Sequence, residues 1–304
     1  MSLRLFITGA EGQVARALRE AAEADAGLVI AYAGRPELDL ARPETIAPLI
    51  EAFRPDVVIN PAAFTAVDKA ESEADMAFAV NRDGAGAVAA AAAKVGAPII
   101  HLSTDYVFDG AKDAPYVESD LVAPQGVYGR SKLEGEQAVA AANPRQVILR
   151  TAWVYAPFGA NFVRTMLRLS AERDALKVVD DQVGCPTYAP DIADAIISIS
   201  RRIAGDGWRP GYAGVTHLAG PDAVSWCGFA RRIVAGSGVR GGKTPPVDAI
   251  TTADFPTPAK RPANSRLSTQ RLAEVFDLRL PPLTASLDSC LDRLIAPAPL
   301  NTGD

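Results

Sequence analysis

Leu3-Arg4-Leu5-Phe6-Ile7-Thr8-Gly9-Ala10-Glu11-Gly12-Gln13-Val14-Ala15 passes from an apolar strand through a glycine turn into a helix. Its first six residues are mostly apolar, as in a strand buried within a parallel sheet. Helical spacing of apolar residues begins at Val14 and continues through Leu18. Strand, glycine turn and helix in that order aim backbone N–H groups and a helix N-terminus at a phosphate. The spacing is Gly-x-x-Gly-x-x-Ala rather than Gly-x-Gly-x-x-Gly. Gly9 can make the tight turn, Gly12 allows close approach of a pyrophosphate, and Ala15 is small enough for the helix to lie on the sheet. The alternative is a plain strand–turn–helix corner. Its position directly behind the first strand favours the nucleotide reading.

Outward from this corner the pattern repeats. Strands are expected at Leu28–Ala33, Asp56–Asn60, Pro98–Asp105, Gln146–Thr151 and Thr216–Gly220, with helices at Pro43–Phe53 and Val67–Val95. Alternating strands and helices predict an α/β fold, a Rossmann-like doubly wound parallel sheet. Where an NAD site usually carries an acidic residue for the ribose 2′-hydroxyl, this chain has Ala33-Gly34-Arg35. Arg35 can pair with a 2′-phosphate, which leans the cofactor toward NADPH with NADH still open; a solvated loop arginine is the other reading. Asp39 can accept from an adenine amino group or cap the region of Pro43. Small residues after the Asp56–Asn60 strand, Pro61-Ala62-Ala63, leave room for a flat cofactor against the backbone.

Tyr128 and Lys132 stand four apart at the start of the next helix, so their side chains share a face. A phenol titrates near 10, and an ammonium beside it favours the phenolate. Alone, Tyr-x-x-x-Lys is weak, and a half-buried tyrosine with a solvated lysine is the common case. Here Thr104 ends a sheet strand just before it. A carbonyl held between Thr104 and Tyr128 can take a hydride from nicotinamide and a proton from Tyr128, with Lys132 on the nicotinamide ribose.

Composition narrows the classes. The 304 residues are 48% hydrophobic and 22% charged, ordinary for a globular chain of one large or two smaller domains. A net charge of −5 argues against nucleic-acid binding, and no apolar run is long enough to span a membrane. Three scattered cysteines suit neither a disulfide framework nor a zinc site. With no signal-peptide pattern before the first strand, a cytoplasmic location is expected. His101 and His217, each beside apolar strand residues, read as structural.

Eight blocks resemble one family: Gly9-x-x-Gly12-Gln13-Val14, Asn60-x-Ala62-Ala63-x-Thr65-x-Val67-Asp68-x-Ala70-Glu71, Ser103-Thr104-Asp105-Tyr106-Val107-Phe108-Asp109-Gly110, Val127-Tyr128-Gly129-x-Ser131-Lys132-x-x-Gly135-Glu136, Arg150-Thr151-x-Trp153-Val154-Tyr155, Asn161-Phe162, Asp181-Gln182-x-Gly184-x-Pro186-Thr187 and Arg261-Pro262-x-x-Ser265-x-Leu267. They run in order through nearly the whole chain. The glycine turn and Tyr-Lys pair belong to the extended short-chain dehydrogenase/reductases at large. The Thr65–Glu71 and Ser103–Gly110 blocks are similar to the dTDP-4-dehydrorhamnose reductase family within them. The resemblance implies reduction of the C4 ketone of dTDP-4-dehydro-6-deoxy-L-mannose to dTDP-L-rhamnose. It makes Tyr128 the proton donor, Lys132 the ribose partner and Thr104 the residue that orients the carbonyl. Gly12, Gln13, Val14, Asp39, Leu40, Ala62, Ala63 and Thr65 would line the cofactor, and Asp105 and Trp153 would touch the sugar, with Asn161 in the same substrate set. Ala15 and Pro61 depart from the family's usual glycine and alanine. Some members bind magnesium through glutamates at a dimer contact; no carboxylate set with metal spacing is present, and no metal is expected, while a homodimer stays open. Two rivals remain, a reductase or epimerase of another nucleotide-linked keto sugar and a non-catalytic NADP-binding regulatory subunit.

The first 155 residues would thus form the main dinucleotide-binding domain. Residues 156–296 would be mixed, with a substrate-binding lobe from about 156–190 and 220–296 and a further sheet strand near 216–219. Helices are expected at Phe162–Glu172, Asp191–Ile203, Ser225–Ala235 and Leu283–Ile295, and a strand at Lys177–Asp180. The loop holding Gln182 approaches substrate in the family, though it can equally serve as a cap. Pro245–Pro262 reads as a long irregular loop, ending at Arg261, which can face a diphosphate or solvent. Residues 297–304 read as a tail.

Overall fold

Buried β-branched and leucine runs build the centre of the molecule. The structure, a computed structural model, describes residues 2–295; the tail expected over 297–304 lies outside the described residues. Five strands match the sequence reading: β1 (Leu3–Thr8), β2 (Leu28–Ala33), β3 (Val57–Asn60), β4 (Ile99–Thr104) and β5 (Gln146–Thr151). Every residue of β3, β4 and β5 is buried, which explains why they lack apolar–polar alternation. A sixth strand is Gly214–His217, two residues earlier than expected. The order is Gly214–His217, β5, β4, β3, β1, β2, and each pairing is parallel. The chain reverses its direction of travel across the sheet between β1 and β3. That junction is where open α/β sheets bind ligands, beyond the carboxyl ends of the strands.

Helices cover both faces. Leu5 and Ile7 point to helix α1 (Gln13–Glu23), the Ala189–Gly205 helix, Leu272 and Phe276. Phe6, between them in sequence, points to the other face with Ile46, Ile50, Val88 and Val139. A separate apolar cluster joins Val163 and Met166, Leu176 and Val178, Phe229 and Ile233, and Leu287 and Leu291. These come from the Phe162–Glu172 helix, the Leu176–Val179 strand, the Trp226–Val239 helix and the Leu283–Leu294 helix. Among the described residues, no helix is long and apolar enough to cross a membrane.

Two expectations need correction. Val67–Val95 is not one helix. It divides into Val67–Ala70, Ala74–Phe78, a wide π turn at Ala79–Gly84, and Ala85–Lys94. The alanine-rich composition hides the breaks. At the wide turn Gly84 is pressed so closely on Leu40 that a Cβ would lie 2.4 Å from its carbonyl oxygen, and Asn81 turns its amide out to hold a neighbouring loop. Nor is Pro245–Pro262 wholly irregular. Val247–Ile250 is a strand paired in parallel with Leu176–Val179, followed by a short turn at Thr252–Asp254.

Candidate active site

The glycine turn leaves β1 at the sheet's reversal point. Gly9 has φ +81°, a backbone region that suits glycine. A Cβ there would sit 3.2 Å from that of Ala62, which follows β3, so the two loops close on one another. Gly12 precedes α1 and offers no side-chain cap to its first N–H groups. Among the described residues nothing lies within 4 Å of where its Cβ would be. An uncapped helix start with open space before it fits an anionic diphosphate. Gly34 packs beside Ala10, which brings exposed Arg35 to the edge of the same turn. The expected lining residues Val14 and Leu40 are buried in the two sheet faces, while Ala62 and Ala63 are half-buried and Thr65 exposed at the mouth. Asp39 folds its carboxylate onto the N–H of Ala41, 3.0 Å away, as a local turn. Gln13 is engaged by Asn161 Nδ2 at 3.0 Å.

Tyr128 is the second residue of the Val127–Ala142 helix. That helix has glycine at its cap position, and Glu71 supplies the missing acceptor by taking the N–H of Val127 at 2.8 Å. Gly129 lets the helix approach Tyr106: a Cβ there would lie 2.2 Å from the Tyr106 carbonyl oxygen. The Tyr106 and Tyr128 rings meet edge to face at 5.5 Å. Asn81 donates to Ser131, which donates in turn to the Tyr128 carbonyl, and Asn81 also holds both the N–H and the carbonyl of Phe64. The loop after β3 and the tyrosine helix are thereby one unit.

Thr104 ends β4 between Asp105 and Tyr128. Its hydroxyl lies 3.0 Å from Asp105 Oδ1 and accepts from the Tyr106 N–H at 3.2 Å. Burial pushes the Tyr128 phenol well above its ordinary value, and hydrogen bonding with Thr104 works against that rise. Burial also raises Asp105, to about 6, against hydrogen bonds from Ser265 and Thr104. The expected lowering of the phenol by Lys132 is absent. Lys132 is 2% exposed and turns beneath the helix, where it donates to the Leu102 carbonyl at 2.6 Å. Burial brings its ammonium down to about 8, with Glu136 opposing. Glu136 is itself clamped by Arg150 through two bonds of 2.8 and 2.7 Å.

The remaining candidates spread outward. Trp153 has φ +49° and stacks on Trp226 with ring centres 3.5 Å apart, and Gly184 leaves room for its ring. Arg261 reaches into the same region, 3.5 Å from the Tyr106 hydroxyl, but its other nitrogen is paired with Asp68 at 2.7 Å. Gln182 donates to Thr252 at 2.9 Å and is nearly buried. Asn161 caps the Phe162–Glu172 helix and bonds the Ala156 and Phe158 carbonyls, so it stands with Gln13 rather than with Thr104. Thr104, Asp105, Tyr106, Tyr128 and Arg261 are therefore brought together, and Gln13 and Asn161 form a second group. Sequence reasoning passed over Asn60, Glu71 and Asn81 as working residues, and read His101 as packing. Asn60 and His101 are opposed in register on β3 and β4; polar residues at matching depths of two apolar strands were the available signal.

A sequence profile of the RmlD substrate binding domain matches residues 3–296. A dTDP-4-dehydrorhamnose reductase from Sinorhizobium fredii is 51% identical, with 92% of this chain and 93% of the relative covered. The crystal structure of a dTDP-4-dehydrorhamnose reductase from Clostridium acetobutylicum superposes with a TM-score of 0.87 at 38% identity, over 96% of this chain and 99% of that one. The Bacillus anthracis dTDP-4-dehydrorhamnose reductase, crystallised in complex with NADP, also gives 0.87, at 34% identity and the same coverage.

Proposed function

The chain belongs to the RmlD substrate binding domain family, that of the dTDP-4-dehydrorhamnose reductases, and from that premise we propose that it reduces the C4 ketone of dTDP-4-dehydro-6-deoxy-L-mannose to dTDP-L-rhamnose with NADPH. The observation that carries the chemistry is the meeting of the Thr104 hydroxyl and the Tyr128 phenol at the carboxyl end of β4. NADPH, when bound, supplies the hydride. The open N-terminus of α1 takes its diphosphate, with Gly9, Gly12, Gln13, Val14, Asp39, Leu40, Ala62, Ala63 and Thr65 as the walls. Arg35 lies at the mouth for a 2′-phosphate.

Thr104 orients the ketone oxygen, and Tyr128 donates the proton that the oxygen needs as it becomes an alkoxide. A phenol kept protonated by burial suits a donor. Lys132 holds the nicotinamide ribose. Asp105, Trp153, Gln182 and Arg261 are assigned to the sugar nucleotide, with Arg261 exchanging Asp68 for the diphosphate; Asn161, bonded to Gln13 and capping its helix, is withdrawn from that set. The first half of the chain holds NADPH and the lobe built from the second half holds the sugar. Three buried free thiols support a reducing compartment, hence the cytoplasm.

The test is NADPH oxidation with the 4-keto sugar generated in place, for the unsubstituted chain and for Tyr128→Phe. Loss of one general acid should lower kcat by roughly 10²–10⁴-fold while the NADPH dissociation constant stays nearly constant. Unchanged turnover in the variant would remove Tyr128 from the mechanism. Firm NADPH binding without turnover in the unsubstituted chain would point to another keto sugar or to a binding role.

A further inference from the structure

Beneath Tyr128, four polar side chains run in a line through the apolar centre of the sheet. Thr8 donates its hydroxyl proton to the Asn60 amide oxygen. Asn60 Nδ2 lies 3.0 Å from His101 Nδ1, and His101 Nε2 lies 3.4 Å from Lys132 Nζ. Lys132 then donates to the Leu102 carbonyl at 2.6 Å. Thr8, Asn60 and His101 are 0% exposed. The line crosses three adjacent strands, β1, β3 and β4, and ends on the tyrosine helix. Polar groups at that depth are costly unless fully paired, and apolar residues would fill the same space without that cost.

The line has a direction. His101 is held neutral, chiefly by burial and then by the charge of Lys132, so one ring nitrogen donates and the other accepts. With the Asn60 amide nitrogen facing it, Nδ1 accepts and Nε2 carries the proton. Lys132 can then take that hydrogen bond only as an amine. Turning the Asn60 amide over changes no shape. Thr8 now accepts, Nδ1 donates, Nε2 accepts, and Lys132 is served as an ammonium. Each protonation state of Lys132 matches one polarity of the whole line.

We propose that His101 is a positioning residue for Lys132, and that the polarity of the Thr8–Asn60–His101 line sets which protonation state Lys132 holds. This rests on the reading of Lys132 as the ribose-holding partner of Tyr128. The charged and titratable groups around Lys132 are few. Tyr128 and Glu136 lie one turn away on its own helix, Arg150 comes from β5 to bind Glu136, and His101 comes from β4. Arg82, from the wide turn, pairs with its neighbour Asp83 and with Glu134 at the outer surface. His101 is thus the one titratable side chain hydrogen-bonded to Lys132 among the described residues.

The test reads Lys132 directly. Protein carrying lysine labelled with ¹³C at Cε is titrated by NMR, and the Lys132 resonance is assigned by its loss in Lys132→Arg. Asn60→Asp keeps the shape but can only accept, from both Thr8 and Nδ1–H. It should fix Nε2 as an acceptor and raise the Lys132 midpoint by about one pH unit; because the new carboxylate also acts by charge, the part carried by the ring is the part lost when Asn60→Asp is combined with His101→Leu. His101→Leu removes the acceptor and should lower it. A midpoint in Asn60→Asp equal to that of the unsubstituted chain would overturn the proposal, and that arm decides even if His101→Leu fails to fold. The titration needs no turnover. Failure of the reductase reading would show separately, as absent NADPH oxidation beside an intact titration.

Discussion

Asp105 shows how one side chain couples the site to the stability of the chain. Its carboxyl is held at about 6 against an ordinary 3.8, because burial disfavours the charge. The folded state therefore keeps a proton that the unfolded chain gives up. Stability should fall as pH rises from about 4 to about 6, then level off, a change on the order of 2–3 kcal/mol at full extent. Asp105→Asn has no carboxyl to ionise, so urea midpoints at pH 4.5 and 7 should differ less than in the unsubstituted chain. An unaltered difference would assign the dependence elsewhere. That Thr104 and Tyr128 lie close was legible in the sequence, because one ends a strand and the other opens the next long helix. Glu71 was legible only as a family residue. Its partner, the Val127 N–H, is 56 positions away, and no local pattern joins the two. The lowering of Tyr128 by Lys132 failed as an expectation because spacing puts two residues on one helix face without fixing where a four-carbon chain ends.

At the scale of elements, the Val127–Ala142 helix is placed by what it lacks. Alanine normally stabilises a helix interior relative to glycine by about 1 kcal/mol. At Gly129 the sign should reverse, since a Cβ would meet the Tyr106 carbonyl at 2.2 Å. Gly129→Ala should cost about 1–3 kcal/mol and lower kcat by displacing Tyr128. Gly205→Ala, at the end of the Ala189–Gly205 helix with nothing within 4 Å among the described residues, is the control and should be neutral or slightly stabilising. Equal melting temperatures for the two variants would contradict this packing argument. The central strands β3, β4 and β5 were readable because buried parallel strands are continuous runs without alternation, while the half-exposed edge strand Gly214–His217 was placed two residues late. Val67–Val95 was misread for a related reason: alanine favours helix throughout, and the contacts that break it, Gly84 on Leu40 among them, come from distant sequence.

At the scale of the whole molecule, one acidic residue fastens the substrate-side loop of the second half to the first half. Asp68 accepts from the Ala259 N–H at 3.1 Å and from Arg261 at 2.7 Å, so the segment before Pro262 is fastened to the Val67–Ala70 helix. Asp68→Asn weakens a half-exposed ion pair worth about 1 kcal/mol at most. Because Arg261 leaves Asp68 for the diphosphate, it should lower the KM for the sugar nucleotide by up to roughly fivefold, with the NADPH dissociation constant unchanged. A change confined to NADPH would place Asp68 on the wrong side of the cleft. The sixth strand carries a different consequence, for biosynthesis. Once β5 has left the ribosome, its outer edge stays unpaired until Gly214–His217 has been made. At about 5–20 residues per second that interval is on the order of 3–13 s. During it the nascent chain presents a fully buried-type strand with an open row of peptide groups, a template for pairing with its neighbours on the same polysome. Slowing translation between those two segments should therefore cost yield through aggregation, though every finished molecule would be the same.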